Sequence, residues 1–121
     1  MPGNDQILTL ARLMDVAALR AKVHAGNLAN QTTPGYKAKA VEFDAAFRAA
    51  LDEQGAAAAR AVEPLVYEPR STPADNDGND VSSEREVMAM AQNQLLYNTY
   101  ISMAKGQTRL LLTAITPAPG G

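Results

Sequence analysis

The apolar positions fall into two long helical patterns separated by a stretch with no sustained period. In the first, Ile7, Leu10, Met14, Ala17, Ala21, His24 and Leu28 recur at alternating steps of three and four, the spacing of a heptad seam. Leu13, Val16 and Val23 widen this stripe on one flank, and Arg12, Asp15, Arg20 and Lys22 take the opposite face. The pattern predicts a helix over residues 5–30, roughly 38 Å long. Alanines thin the middle of the seam, which permits close approach but gives little burial.

The second pattern predicts a helix over residues 83–115, ended by Pro117 and Pro119, with residues 116–121 as a tail. Ser83 and Glu86 fit a capping box. Glu84 and Glu86 stand at the positive end of its dipole, and Lys105 and Arg109 near the negative end. Tyr97, Ile101, Ala104, Leu111 and Ile115 form one apolar stripe, and Leu96, Tyr100, Met103 and Leu110 a neighbouring one. A helix apolar on more than one face is buried by more than one neighbour.

Residues 31–82 read as irregular. A short amphipathic helix is expected over 42–51, with Phe43, Phe47 and Leu51 at four-residue spacing. Gly55 and Ala56–Ala59 read as its frayed end or a linker. Leu65-Val66-Tyr67 reads as a short extended segment, and residues 71–80 as polar turn material. The expected fold is mainly α, with long N- and C-terminal helices around an irregular middle. That order suits an antiparallel helix pair packing into an assembly.

Composition sharpens this. A chain of 121 residues forms one modest domain at most, here taken as 1–121. Hydrophobic residues make up 46%, but much of that is alanine, which buries little area. Six aromatics, Tyr36, Phe43, Phe47, Tyr67, Tyr97 and Tyr100, are few for a small domain that depends on its own core. Partners are therefore expected to complete the packing. The formal charge is −2. Residues 1–39 carry five basic side chains against two acids, residues 40–80 three against nine, and residues 81–121 three against two. No dense basic stripe exists, so nucleic-acid binding is not expected. No stretch approaches the ~18 apolar residues of a membrane span, and the first residues lack the pattern of a cleaved secretory signal.

Candidate chemistry is sparse. The chain has no cysteine, which removes disulfides and thiol catalysis. Asp75, Asp77, Gly78 and Glu84 follow part of a calcium-loop spacing, but Pro73 stands at the first ligand position and cannot coordinate through its side chain. A solvated turn and helix start is the better reading. His24, the single histidine, lies on the seam with no second His or Cys to share a metal, so a helix-contact role is expected. Asp15 and Glu42 are separated carboxylates. Met88, Met90 and Met103 read as core filler. Asn30-Gln31-Thr32 fits a glycosylation acceptor but stands at a helix end and reads as a chance match. No catalytic residue, cofactor or metal is expected, and the chain does not read as an enzyme.

The most specific segment is Asn27-Leu28-Ala29-Asn30-Gln31-Thr32-Thr33-Pro34-Gly35-Tyr36-Lys37-Ala38. Asn30 can end a helix by tolerating the left-handed region. Pro34 pushes Thr33 into an extended state, and Gly35 supplies freedom for a tight turn. Tyr36 then offers an amphipathic anchor against the helix pair.

This segment resembles the N-terminal signature of flagellar rod and hook proteins. Asp77-Gly78-Asn79-Asp80-Val81 leading into Glu84-Arg85-Glu86 resembles the start of the C-terminal helix of the FlgB type. Asn93–Asn98 and Leu110–Ile115 continue the likeness, which covers most of the chain from Leu8 to Ile115. The resemblance implies an antiparallel coiled coil of the terminal helices, helical stacking into the proximal rod, and torque transmission from membrane ring to hook. It implies other copies and other rod proteins as partners, with membrane-ring and export-apparatus proteins at the rod base. It also implies type III export without a cleaved signal, and termini that order on assembly.

Asn27, Leu28, Ala29, Asn30, Thr33, Pro34, Gly35 and Tyr36 are the expected assembly motif. Ile7, Leu10, Met14, Leu28, Leu96, Tyr97, Tyr100, Ile101, Met103, Leu110, Leu111 and Ile115 are the expected helix-packing residues. The competing reading is a helical adaptor or secretion chaperone using the same amphipathic helices.

Overall fold

The computed structural model describes residues 2–115. In chain order it contains α1 (Pro2–Ala29), β1 (Ala40–Glu42), α2 (Asp44–Gln54), α3 (Ala56–Arg60), β2 (Leu65–Tyr67) and α4 (Ser83–Ile115). The fold is mainly α, with the two long terminal helices paired antiparallel over the irregular middle. Asn93 Nδ2 donates to the Ala17 carbonyl at 2.8 Å, and seven residues along each helix His24 Nδ1 meets Glu86 Oε2 at 2.7 Å. Those two contacts define one antiparallel register.

The middle is more ordered than its sequence suggests. β1 and β2 form a small antiparallel ladder pairing Ala40 with Tyr67, Val41 with Val66 and Glu42 with Leu65. Because Ala40–Glu42 is taken up as a strand, α2 starts at Asp44 and runs to Gln54, later than the expected 42–51. Phe43, at the joint, is 1% exposed and stacks at 5.2 Å on Phe47.

Gly55 has φ 98°, and its N–H bonds the Ala50 and Leu51 carbonyls, which closes α2. The alanine run then forms α3 instead of fraying. Alanine has the highest helix propensity, and Ala59 is fully buried. Arg60 ties α3 to α1 through Asp5 at 2.9 Å and Thr9 at 3.2 Å.

This middle segment packs on one flank of α1 and changes which residues are covered. The buried apolar side chains among the described residues are Leu10, Val16, Ala17, Phe43 and Ala59. Ala21, expected on the seam, is exposed, while α1 is covered by α3 and β1 as well as by α4. Arg12, expected on the solvent face, is half-buried. Its guanidinium lies 6.0 Å from the Phe43 ring centre and donates to the Val62 carbonyl at 2.8 Å.

The start of α4 also departs from expectation. Ser82, not Ser83, supplies the cap: its carbonyl accepts from the Glu86 N–H, and its hydroxyl accepts from the Arg85 N–H at 3.4 Å. The Glu86 carboxylate is drawn away to His24, so no capping box forms. Lys105 and Arg109 lie before the last turn, which holds no basic residue. Pro117, Pro119 and the tail 116–121 lie outside the described residues.

Candidate functional site

The end of α1 and the approach to α4 are stitched together by buried carboxamides. Asn27, in the last turn of α1, is 0% exposed. Its Nδ2 donates to the Lys39 carbonyl at 2.8 Å, and its Oδ1 accepts from the Lys39 N–H at 2.9 Å and from the Tyr36 hydroxyl at 3.2 Å. The side chain thus imitates a backbone partner for Lys39 and folds the chain back onto its own helix.

Asn30 ends α1 without entering the left-handed region: Arg70 is the non-glycine residue with positive φ among the described residues. Asn30 instead donates through Nδ2 to the Gly26 carbonyl at 2.8 Å, satisfying one of the acceptors a helix end leaves free. Its Oδ1 accepts from the Thr33 hydroxyl at 3.0 Å.

Gly35 takes φ 75°, as its place after Thr33-Pro34 suggests. Its N–H donates to the Asp77 carbonyl at 2.9 Å, and the Asp80 N–H donates to the Tyr36 carbonyl at 3.2 Å. The 35–38 strip therefore runs against the 77–80 turn. Gly78 has φ 86°, and a Cβ there would sit 3.4 Å from the Gly35 Cα. The two glycines let the backbones approach.

Asn79, 2% exposed, completes the joint. Its Nδ2 donates to the Asn30 carbonyl at 2.9 Å and the Thr33 carbonyl at 2.7 Å, while its Oδ1 accepts from the Val81 N–H at 2.9 Å. Asp80, 4% exposed, accepts from the Ala38 N–H at 2.6 Å. Lys37 Nζ donates to the Gly78 carbonyl, and the Ser83 hydroxyl to Gln31 Oε1. Of the motif, Asn27 is buried, Leu28, Asn30 and Tyr36 are half-buried, and Ala29, Thr33, Pro34 and Gly35 are exposed.

The structure brings the motif and the residues after it, 27–39, together with the approach to α4, 77–83, in one joint whose polar groups bond each other. Asp77 Oδ1 accepts from the Asn79 N–H and Asp80 from Ala38, so these carboxylates act as turn acceptors. Among the described residues no cluster of three or more His, Asp or Glu side chains is arranged to hold a metal. Asn79 and Asp80, expected as polar turn material and as part of the segment that resembles an FlgB-type helix entry, have a specific bonding role that the sequence reading does not assign. An Asn-Asp pair directly before a helix start was the available signal.

A second polar group lies inside the helix pair. His24 and Glu86 form a largely covered pair, and Arg20 meets Asp44 at 3.0 Å beside it. Tyr100 has its phenol pKa raised from 10.0, first by burial and then by the Asp44 charge, with Arg20 opposing. Asn93 is buried on α4, and its Oδ1 has no hydrogen-bond partner.

The apolar residues of α4 have a different fate. Its buried residues are Glu86 and Asn93. Of the expected packing residues, Leu10 is buried, and Ile7, Met14, Leu28, Tyr97, Tyr100, Ile101 and Leu111 are half-buried. Leu96, Met103, Leu110 and Ile115 are exposed, as are Val87, Met88, Leu95 and Leu112. Met88 and Met103 are therefore surface side chains of the single chain, not its core, because α1 covers one face of α4 only. No helix among the described residues is long and apolar enough to cross a membrane.

No family model matches the chain. Individual relatives do. The chain is 31% identical over 123 residues to "Flagellar basal body rod protein FlgB" of Cereibacter sphaeroides, covering 92% of this chain and 94% of that protein. The chain belongs to the FlgB family of flagellar rod proteins. FlgB of Aeromonas hydrophila is 29% identical over 113 residues, 84% of this chain and 86% of that protein. FlgB of Bacillus subtilis is 27% identical over 124 residues, 91% and 92% respectively. Matches of near-full length in such different bacteria mean that the FlgB likeness spans both helices and the joint, not one motif.

Proposed function

We propose that this chain is a non-catalytic structural subunit of the flagellar proximal rod, acting as one rod-protein domain over residues 1–121. It stacks helically with its own copies and with other rod proteins, and carries torque from the membrane ring to the hook. Membrane-ring and export-apparatus proteins meet it at the rod base, and the flagellar type III apparatus exports it.

The observation that carries this reading is the inverted burial of α4. Eight large apolar side chains of that helix are exposed while its two buried residues are polar. Burying such side chains contributes about 1.5–3 kcal/mol each, so neighbours that cover them supply a large driving force for assembly. The joint around Asn27–Tyr36 supports the same role by holding the helix pair at a fixed angle to the middle segment. Leu96, Met103, Leu110 and Ile115 meet neighbouring subunits, while Ile7, Leu10, Met14, Leu28, Tyr97, Tyr100, Ile101 and Leu111 hold the pair together.

Deleting the coding sequence and examining isolated basal bodies by electron microscopy tests the proposal. Rings without a rod, restored by the intact chain, are expected. Normal rods in the deletion strain would remove the chain from the structure altogether.

A further inference from the structure

The joint is built around a chemically labile peptide bond. Asp77-Gly78 is the one Asp-Gly bond of the chain, which has no Asn-Gly bond. Glycine has no side chain to screen its amide nitrogen, so that nitrogen can reach the carboxyl of the residue before it. Asp77 is exposed, so burial does not shield it from water.

The reaction open to this pair conserves mass. The Gly78 nitrogen bonds to Asp77 Cγ, its proton leaves with the carboxyl hydroxyl as water, and a five-membered imide closes. Water then adds to the imide at the former main-chain carbonyl of Asp77 and breaks that carbon's bond to the Gly78 nitrogen. The chain now runs through Cγ as isoaspartate, one methylene longer, with the old main-chain carbonyl as a free carboxylate. No oxidant or second reactant is needed. The extra methylene lengthens 77–80 against the 35–38 strip it bonds.

Ring closure requires the Asp77–Gly78 peptide plane to turn its face towards Cγ. The fold clamps that plane on both edges: its carbonyl accepts from the Gly35 N–H at 2.9 Å, and its N–H donates to the Asp75 carbonyl at 2.8 Å. The carboxylate is held as well, since Oδ1 accepts from the Asn79 N–H at 3.1 Å. The next carbonyl, that of Gly78, accepts from Lys37 Nζ. Asn79 anchors the turn to the end of α1 through the Asn30 and Thr33 carbonyls, and the Asp75 N–H closes it onto the Asn79 carbonyl at 2.7 Å.

We propose that Asp77–Gly78 is a latent backbone-isomerisation site that the folded joint holds shut. Unfolded chains convert Asp77 to isoaspartate, and folded chains react only through the fraction whose joint has opened locally. The joint therefore preserves the chemical identity of the residue at its centre as well as tying α1 to the approach to α4. This goes beyond the rod-subunit reading and does not depend on it.

Incubating the full-length chain at neutral pH, folded in buffer and unfolded in concentrated urea, tests the proposal. Peptides are then mapped by liquid chromatography and mass spectrometry. The isoaspartate form of the peptide holding residue 77 has unchanged mass and a shifted retention time. It accumulates in urea, and at least about tenfold more slowly in buffer, as a reaction limited by local opening does. Asn79→Ala removes the carboxamide's bonds to Asn30, Thr33 and Val81. It speeds the reaction severalfold in buffer and leaves the rate in urea unchanged. Circular dichroism checks that helix content is kept. If that variant unfolds, Lys37→Ala, which removes the Nζ contact to Gly78, takes its place with the same expectation. Equal rates in buffer and urea, no isomer at residue 77 in either, or a folded rate that the loosening variant leaves unchanged overturns the proposal.

Discussion

The side chain of Asn27 makes three hydrogen bonds at zero exposure, and it is the one side chain that pairs with both backbone groups of Lys39. Asn27→Leu leaves the Lys39 N–H and carbonyl without their partner, and a buried group left unsatisfied costs about 1–3 kcal/mol. A drop of about 3 kcal/mol is expected in the unfolding free energy, read from urea titration followed by helix content. An unchanged midpoint would mean the loop is held by other contacts.

Tyr100 gives a residue-level pH effect of known sign. Its folded-state pKa is raised above 10.0 by burial and by Asp44, so the unfolded chain loses this proton first. Its stabilising contribution is complete below the ordinary tyrosine value and is lost as pH rises through that value towards the folded one. Tyr100→Phe is expected to flatten the alkaline fall in the urea midpoint between about pH 9 and pH 11. A fall as steep as that of the parent chain would show that Tyr100 is not its source.

The helices were legible where their periodicity was long. The seam through Ile7, Leu10, Met14 and Ala17 and the run from Ser83 to Ile115 announce two long helices. The Thr33-Pro34-Gly35 turn announces where the first one stops. Short elements were legible only in part, because tertiary contacts decide them. Nothing local says that Ala40–Glu42 pairs with Leu65–Tyr67, or that Ala56–Ala59 stays helical once Gly55 turns it onto α1.

The joint was visible as a motif but not as a mechanism. Asn27 and Asn79 look like turn-formers, and only the fold reveals that they replace backbone partners for segments distant in sequence. The same holds for Asn93, a lone carboxamide between α4 and α1 with an unpartnered Oδ1. Removing an imperfectly satisfied buried polar group in favour of a well-packed apolar one is often neutral or stabilising. Asn93→Leu is accordingly expected to hold or raise the thermal midpoint of the chain while loosening the register that the Ala17 contact fixes. A marked loss of stability would mean that this carboxamide is better satisfied than its geometry indicates.

At the scale of the whole molecule, the chain buries a polar line between its long helices and leaves much of its large apolar surface outside. Five apolar side chains are buried among the described residues, and thirteen large ones are exposed. Eight of the thirteen belong to α4, and large exposed apolar surface is characteristic of interaction sites. It agrees with membership of the FlgB family of flagellar rod proteins. The joint at 27–39 and 77–83 ties the end of α1 to the approach to α4, and α4 carries eight of the exposed large apolar side chains.

An electron cryo-microscopy map of basal bodies isolated from cells that make this chain tests this central claim most directly. The account predicts rod density that fits the α1–α4 pair, with Leu95, Leu96, Met103 and Leu110 packed against adjacent subunits. A rod in which that face of α4 points to solvent, or one that contains no copy of this chain, would contradict it.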